Sequence, residues 1–320
     1  MTLPVRPVQR WLPPGKDAAV VFSIDDVHPG RSRQDYDGGG DLGAGALGLV
    51  DWLLRRHPEL RVTLFITADW RETRPTPSRV LSAIPLLRDR LYLAPVLPKG
   101  SRRVDRAPEF VRYVSRLPGV EVAFHGLHHI HRGPLVHVEF QRESVGECEA
   151  TLREMESIFS AADWQFVRGL CPPGWNAPEA LLSALQRLDY DFLASARDIR
   201  TPVATGARTA MSGLLGAPLF TPAWVGEGQG LLHFSTNFQA TSPLERAFSV
   251  LDAGGLLAIK AHIIKNAHGH IALDGVDQTY FNYLDALFLE LGRRYGERLW
   301  WTSMGKVARH IRETEACAAA

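Results

Sequence analysis

The sequence predicts an α/β protein built on seven to eight mainly parallel strands, either an open sheet or one closed into a barrel. Three observations carry this reading. Short apolar runs alternate with longer amphipathic segments along the chain, the pattern of repeated strand–helix units. The runs are near-continuous rather than alternating with polar residues, as strands buried on both faces require. Residues able to do chemistry follow several of these runs directly, where parallel α/β folds carry their sites.

The first strand is 19–24 (AVVFSI), followed by a Gly-rich loop over 28–42 and a helical pattern at 43–57. Next come strand 61–67 (RVTLFIT), a loop at 71–77 and a helical pattern at 78–90. A further loop at 96–105 leads to helix 107–117 and strand 120–124 (VEVAF). Helix 139–160 spaces Val145, Cys148, Leu152, Met155 and Phe159 three or four residues apart, which is a stripe for core packing. Strands at 165–170, 191–195, 231–235, 255–261 and 298–302 then alternate with helical patterns at 177–189, 243–252, 277–295 and 304–312.

A chain of 320 residues is long for one domain but usual for an α/β barrel, and 45% hydrophobic residues suffice for one large core. No composition shift marks a linker. The expected organisation is an N-terminal extension (1–17), one domain (18–311) and a C-terminal tail (312–320). A net charge of +1 gives no electrostatic ground for a nucleic-acid partner. Cys148, Cys171 and Cys317 are odd in number and widely spaced, which fits a reducing compartment rather than a disulfide framework. The N-terminus lacks the apolar run of a signal peptide, and no stretch approaches the roughly 20 apolar residues of a membrane span. A cytoplasmic protein without membrane insertion is expected.

The chemistry concentrates at four strand ends. Asp25 and Asp26 close the first strand, "HGLHH" (125–129) follows the third, "CPPGW" (171–175) the fourth, and "KAH" (260–262) ends a late one. On a helix, His125 and His129 would share one face and bind one ion. One carboxylate would complete a His₂Asp set with a position open for water; zinc is the common occupant of such a set, and iron, cobalt or nickel are compatible with it. The same spacing also occurs in solvated or core histidines, so the strand-end acids add the weight. With Asp26 on the metal, Asp25 lies beside the water as a general base. His262, protonated, would donate to a leaving amine. His28, His128 and His131 read as loop or supporting residues. Trp70, Trp175 and Trp224 suit either sugar stacking or core packing. Arg31, Arg33, Arg71 and Arg74 suit either an anionic group or solvent.

"SIDD", "HGLHH", "CPPGW", "LLAIKAH" and "LWWTSMGKVARH", in this order, resemble the motifs of the polysaccharide deacetylase (NodB-homology) superfamily over residues 18 to 311. The unit "LLSALQRLDYDFLASARD" (181–198) is also similar. The resemblance implies a single-domain distorted (β/α) barrel that uses a divalent metal to hydrolyse N-acyl or O-acyl groups, usually on sugars. It implies Asp25 as base, Asp26, His125 and His129 as ligands, and His262 as acid. Backbone N–H groups near Gly174 and Trp175 are implied as oxyanion donors beside the metal.

The sequence also departs from the pattern. Gly126 stands where a hydroxyl residue usually follows the first histidine, and Cys171 replaces the arginine that braces the base. Arg168 is the candidate substitute, Asp198 the candidate partner of His262, and His28 a candidate supporting residue. These departures suggest a divergent branch, and the missing secretion signal points away from an extracellular polymer to an intracellular N-acylated (acetyl or formyl) sugar or sugar-like metabolite. The rival reading is a barrel that binds such a molecule without turnover. Cys171 as a nucleophile is a poorer alternative, because nothing around it lowers a thiol pKa.

Overall fold

The computed structural model describes residues 4–32, 37–73, 96–132, 137–226, 230–267 and 269–319. In chain order these form β1 (Val5–Pro7), β2 (Ala18–Val27), α1 (Ala46–Arg56), β3 (Val62–Ile66), α2 (Pro108–Arg116), β4 (Val120–Phe124) and the short pair β5 (His131–Arg132) and β6 (His137–Val138). There follow α3 (Val145–Ala161), β7 (Gly169–Leu170), α4 (Glu179–Arg187), β8 (Phe192–Arg197), β9 (Ala223–Val225), β10 (Leu231–Thr236), α5 (Leu244–Asp252) and β11 (Leu256–His262). The chain closes with the hairpin β12 (Asn266–Ala267) and β13 (His270–Ile271), then α6 (Gln278–Tyr295), β14 (Leu299–Trp301) and α7 (Met304–Ala319).

Neighbouring strands run β1-β9-β10-β8-β7-β4-β3-β2-β11, with β14 also on β2. The pairs from β10 round to β11 are parallel, whereas β9 is antiparallel to β1 and β10. Beyond β10 the chain bridges Phe238 to Ile259, and the Lys260 N–H donates to the Phe238 carbonyl at 2.9 Å. The sheet thereby curls back onto β11, as a distorted (β/α) barrel does. The expected strands all form, although the one expected at 165–170 shrinks to β7. The helical pattern at 78–90 lies outside the described residues.

Strand alternation divides the core into two layers. Val20, Phe22 and Ile24 point to the layer under the helices, where the α3 stripe of Cys148, Leu152, Met155 and Phe159 is buried. Ala19 and Val21 point the other way, joining Phe65, Ala123, Phe192, Phe234 and Ala258 inside the curled sheet. α7 packs Met304, Val307 and Ile311 on this inner set. Val5–Pro7 pairs with Ala223–Val225, Trp11 is buried in the inner set, and α7 runs through the expected tail to Ala319. Among the described residues, no helix is long and apolar enough to cross a membrane.

Candidate active site

β2 delivers two adjacent acids to one place, which regular strand alternation forbids. Neighbouring side chains on a strand face opposite ways, so Asp25 and Asp26 would be separated by the sheet. The β2–β3 register shifts between Ile24 and Val27, and Asp26 adopts φ 62°, in the left-handed region that favours glycine. This bulge turns Asp26 toward the loop after β4, while Asp25 keeps the inner direction of Val21.

That loop carries His125 and His129, and it is not the helix the spacing suggested. Gly126 at φ 88° and His129 at φ 50° turn the chain instead. Nε2 of His125 lies 2.9 Å and Nε2 of His129 3.2 Å from Asp26 Oδ1. Two ligands about 2.1 Å from one ion and roughly 90–110° apart are separated by about 3.0–3.4 Å, so these three atoms fit a shared divalent cation. The far nitrogens are tied down as well. His125 Nδ1 donates to the Cys171 carbonyl at 2.6 Å, and His129 Nδ1 meets Glu72 Oε2 at 3.0 Å. A carbonyl only accepts, so His125 carries a proton on Nδ1 and turns Nε2 toward Asp26, the orientation of metal-binding imidazoles. Burial works against charge at Asp26, yet His129 and His125 hold its pKa well below the usual range. Burial likewise lowers His129, but Asp26 and Glu72 outweigh it and raise its pKa well above the ordinary value. A field that favours a proton there favours a cation.

The histidine loop is braced from below. Glu139 accepts from the N–H groups of Leu127 (2.8 Å) and His128 (3.2 Å). Its pKa is raised by burial, against the pull of His128 and those two donors. A Cβ on Gly126 would meet Glu139 Oε2 at 2.4 Å, so glycine follows His125 here for room as well as for φ. His28 stacks on Trp70 (4.4 Å), Trp70 on His129 (4.7 Å), and His129 on His125 (5.2 Å). Burial and the nearby Arg102 push the His28 pKa well down. His28 thus supports the ligand loop through Trp70.

Asp25 is buried, and its two oxygens differ. Oδ2 receives Lys260 Nζ, the Cys171 thiol (3.1 Å) and the Trp175 indole N–H (3.3 Å). Oδ1 is equally buried and has no hydrogen-bond partner among the described residues. Burial raises the Asp25 pKa, but Lys260, His125 and His262 overcome this and lower it. His262 is the register partner of Asp25 on β11, which places the two side by side. Its Nδ1 pairs with Asp274 Oδ2 at 3.0 Å, leaving Nε2 as the other face of the ring. Burial opposes a proton on His262, and Asp274 prevails and raises its pKa.

Three expectations need correction. Arg168 is not at the base: its guanidinium bonds Glu156 (3.2 Å) and the Leu188 carbonyl (3.3 Å), half-exposed at the opposite end of the strands. Asp198 does not orient His262 but organises its own turn through the N–H groups of Arg200, Thr201 and Ala210. The Trp175 N–H is not a free oxyanion donor, since it bonds the Pro172 carbonyl at 2.9 Å. Gly174 adopts φ 65° in that same turn, and Trp175 follows at φ 58°, which aims the indole at Asp25. Lys260, Asp274, Glu72 and Glu139 were missed. Lys260 had a signal: a charged residue two positions before His262, in an otherwise apolar strand, shares its face. Asp274 and Glu72 lay in loops with none, and Glu139 opened the helix expected at 139–160, which in fact starts at Val145 and leaves Glu139 in the turn before it.

Other residues resolve simply. Trp224 is buried and bonds Glu315, and Arg71 donates to the Leu97 carbonyl. Arg31 is exposed, whereas Arg33 and Arg74 lie outside the described residues. Cys171 is buried, and burial and Asp25 push its thiol pKa well up, opposite to what a nucleophile needs.

No family sequence model matches the chain, and no curated protein matches it in sequence. Solved structures do match in fold. A Mycobacterium smegmatis protein classed by name as a polysaccharide deacetylase superposes at TM-score 0.58 with 15% identity, covering 98% of this chain and 96% of its own. The peptidoglycan deacetylase PdaC of Bacillus subtilis covers 95% of this chain and 96% of its own, with 12% identity and TM-score 0.42. The 4-alpha-glucanotransferase of Thermococcus litoralis covers 92% of this chain but 40% of its own, with 10% identity and TM-score 0.50. In fold the chain therefore matches that Mycobacterium smegmatis protein over nearly the whole of both chains.

Proposed function

We propose that the protein is a metal-dependent hydrolase that removes an N-acyl group, acetyl or formyl, from a sugar or sugar-like metabolite. One observation carries the reading: Asp26, His125 and His129 converge through Oδ1, Nε2 and Nε2, with Asp25 and His262 side by side on the paired strands β2 and β11. Asp26, His125 and His129 would hold a divalent cation, and Zn²⁺ is the common occupant of such a donor set. Bound there, it would polarise the acyl carbonyl and ease deprotonation of water.

The remaining steps belong to this chain's side chains. Asp25 Oδ1, the oxygen without a partner among the described residues, takes a proton from the attacking water as that water bonds to the acyl carbon. Asp274 holds His262 Nδ1, so Nε2 gives its proton to the departing nitrogen as the C–N bond breaks. The products are a carboxylic acid and a free amine. Trp175 contacts both catalytic groups, its indole N–H on Asp25 and its ring 5.7 Å from that of His262.

The test is elemental analysis of the purified protein followed by acid release from a panel of N-acetylated and N-formylated sugar conjugates. Stoichiometric transition metal is expected in the wild type, and its loss in Asp26→Ala and His125→Ala. Asp25→Asn should keep the metal and release no acid. Wild type that binds no transition metal after reconstitution would sink the reading. Metal-loaded wild type that binds panel members but releases neither acetate nor formate would favour the rival, a binding protein without turnover.

A further inference from the structure

We propose that Lys260 is the positioning residue of Asp25, holding the carboxylate so that Oδ1 alone meets the reacting water. The inference rests on the hydrolase reading above.

Lys260 sits on β11, in register with Ser23 and two residues before His262, and its side chain shares the inner face with His262. The lysine and Asp25 side chains are each 1% exposed. At that depth a carboxylate and an ammonium persist only as partners, because neither is hydrated. Nζ contacts Oδ2 and lies 4.5 Å from the centre of the Trp175 ring, so the ammonium is held between the carboxylate and an aromatic face. The backbone under it is fixed too, since the Tyr280 hydroxyl donates to the Lys260 carbonyl at 2.7 Å.

The carboxylate of aspartate has a broad, two-fold torsion, and rotation would exchange its oxygens. Cys171 and Trp175 also donate to Oδ2, but both are uncharged and the thiol is a weak donor. Lys260 brings the one full charge to Oδ2, and so chooses which oxygen stays open. The position where the resembling family carries its bracing arginine is Cys171, and Arg168 faces Glu156 on the other side of the fold. In this chain the cation on the base comes from β11.

The test compares Lys260→Met, close in length and uncharged, with Lys260→Arg, which keeps the charge. With metal loaded, Lys260→Met is expected to lower kcat at least about 100-fold, the cost of a reacting group displaced by roughly 1 Å, while KM and metal stoichiometry hold. Lys260→Arg is expected to recover at least about tenfold of that loss. A purely structural lysine would give no such split between kcat and KM and no rescue. A metal-free arm uses no activity. Lys260→Met and Asp25→Asn should each lower the thermal midpoint, and the double variant should fall less than their sum. Lys260→Met with kcat within threefold of wild type, while Asp25→Asn is inactive, would overturn the proposal. If wild type hydrolyses nothing, the hydrolase reading falls by itself, and additive midpoint shifts in the metal-free arm overturn the coupling of Lys260 to Asp25.

Discussion

Gly126→Ser restores the hydroxyl residue that resembling sequences carry after their first histidine, and sequence logic alone would expect it to be harmless. The structure predicts the reverse. Gly126 sits at φ 88°, where an L-residue costs about 1–2 kcal/mol. Its new Cβ would lie 2.4 Å from Glu139 Oε2 and 2.8 Å from Pro173, inside any real contact. Glu139 must then retreat from the N–H groups of Leu127 and His128. Leaving a buried donor unsatisfied costs about 1–3 kcal/mol. The sum is about 2–5 kcal/mol if one of the two bonds is lost. Urea denaturation of the metal-free protein measures it as a lower midpoint at unchanged slope. Adding Glu139→Ala should relieve the clash but not the φ strain, so the two substitutions should be non-additive. A Gly126→Ser variant within about 0.5 kcal/mol of wild type, the usual range for an innocuous substitution, would refute this account of the loop.

Two further outcomes follow from the corrected partners. Asp274→Asn removes the charge that raises the His262 pKa, so the alkaline limb of the pH–rate profile should move to lower pH. The same pair shapes stability. His262, with its pKa raised on folding, stabilises fully below its unfolded value of about 6.5 and loses this as pH rises through the folded value. Asp274, held low by His262 and Arg197 against burial, stabilises above its unfolded value of about 3.9 and loses this as pH falls. The stability gap between wild type and Asp274→Asn should therefore peak between about pH 4 and 6.5; a gap that widens above pH 8 would contradict the pairing. Arg168→Ala should leave turnover within about twofold and cost less than about 1 kcal/mol, as its bond to Glu156 is a half-exposed ion pair. A large loss of kcat there would restore Arg168 to the site.

The apolar runs and the α3 stripe were legible because burial on two faces, or on one helical face, imposes a local pattern on residues close in sequence. Asp25, Asp26, His125, His129 and His262 were legible as candidates for a related reason, since each follows such a run at the end where parallel strands deliver their chemistry. The antiparallel strands β1 and β9 were not: each is three residues long, and their pairing spans more than 200 positions.

What the sequence determined by itself is the supply of groups: two acids at one strand end, an imidazole pair four residues apart, and a late histidine. The tertiary structure decided their partners. The bulge at Asp26 makes two neighbouring acids face one site, Gly126 makes the imidazole pair a loop rather than a helix, and the β2–β11 register brings His262 beside Asp25. Lys260 in place of Arg168, and Asp274 in place of Asp198, were chosen the same way. A side chain's type is local and can be read in order along the chain. Its partner is whichever group the folded backbone brings within about 3 Å, and that distance has no one-dimensional signature.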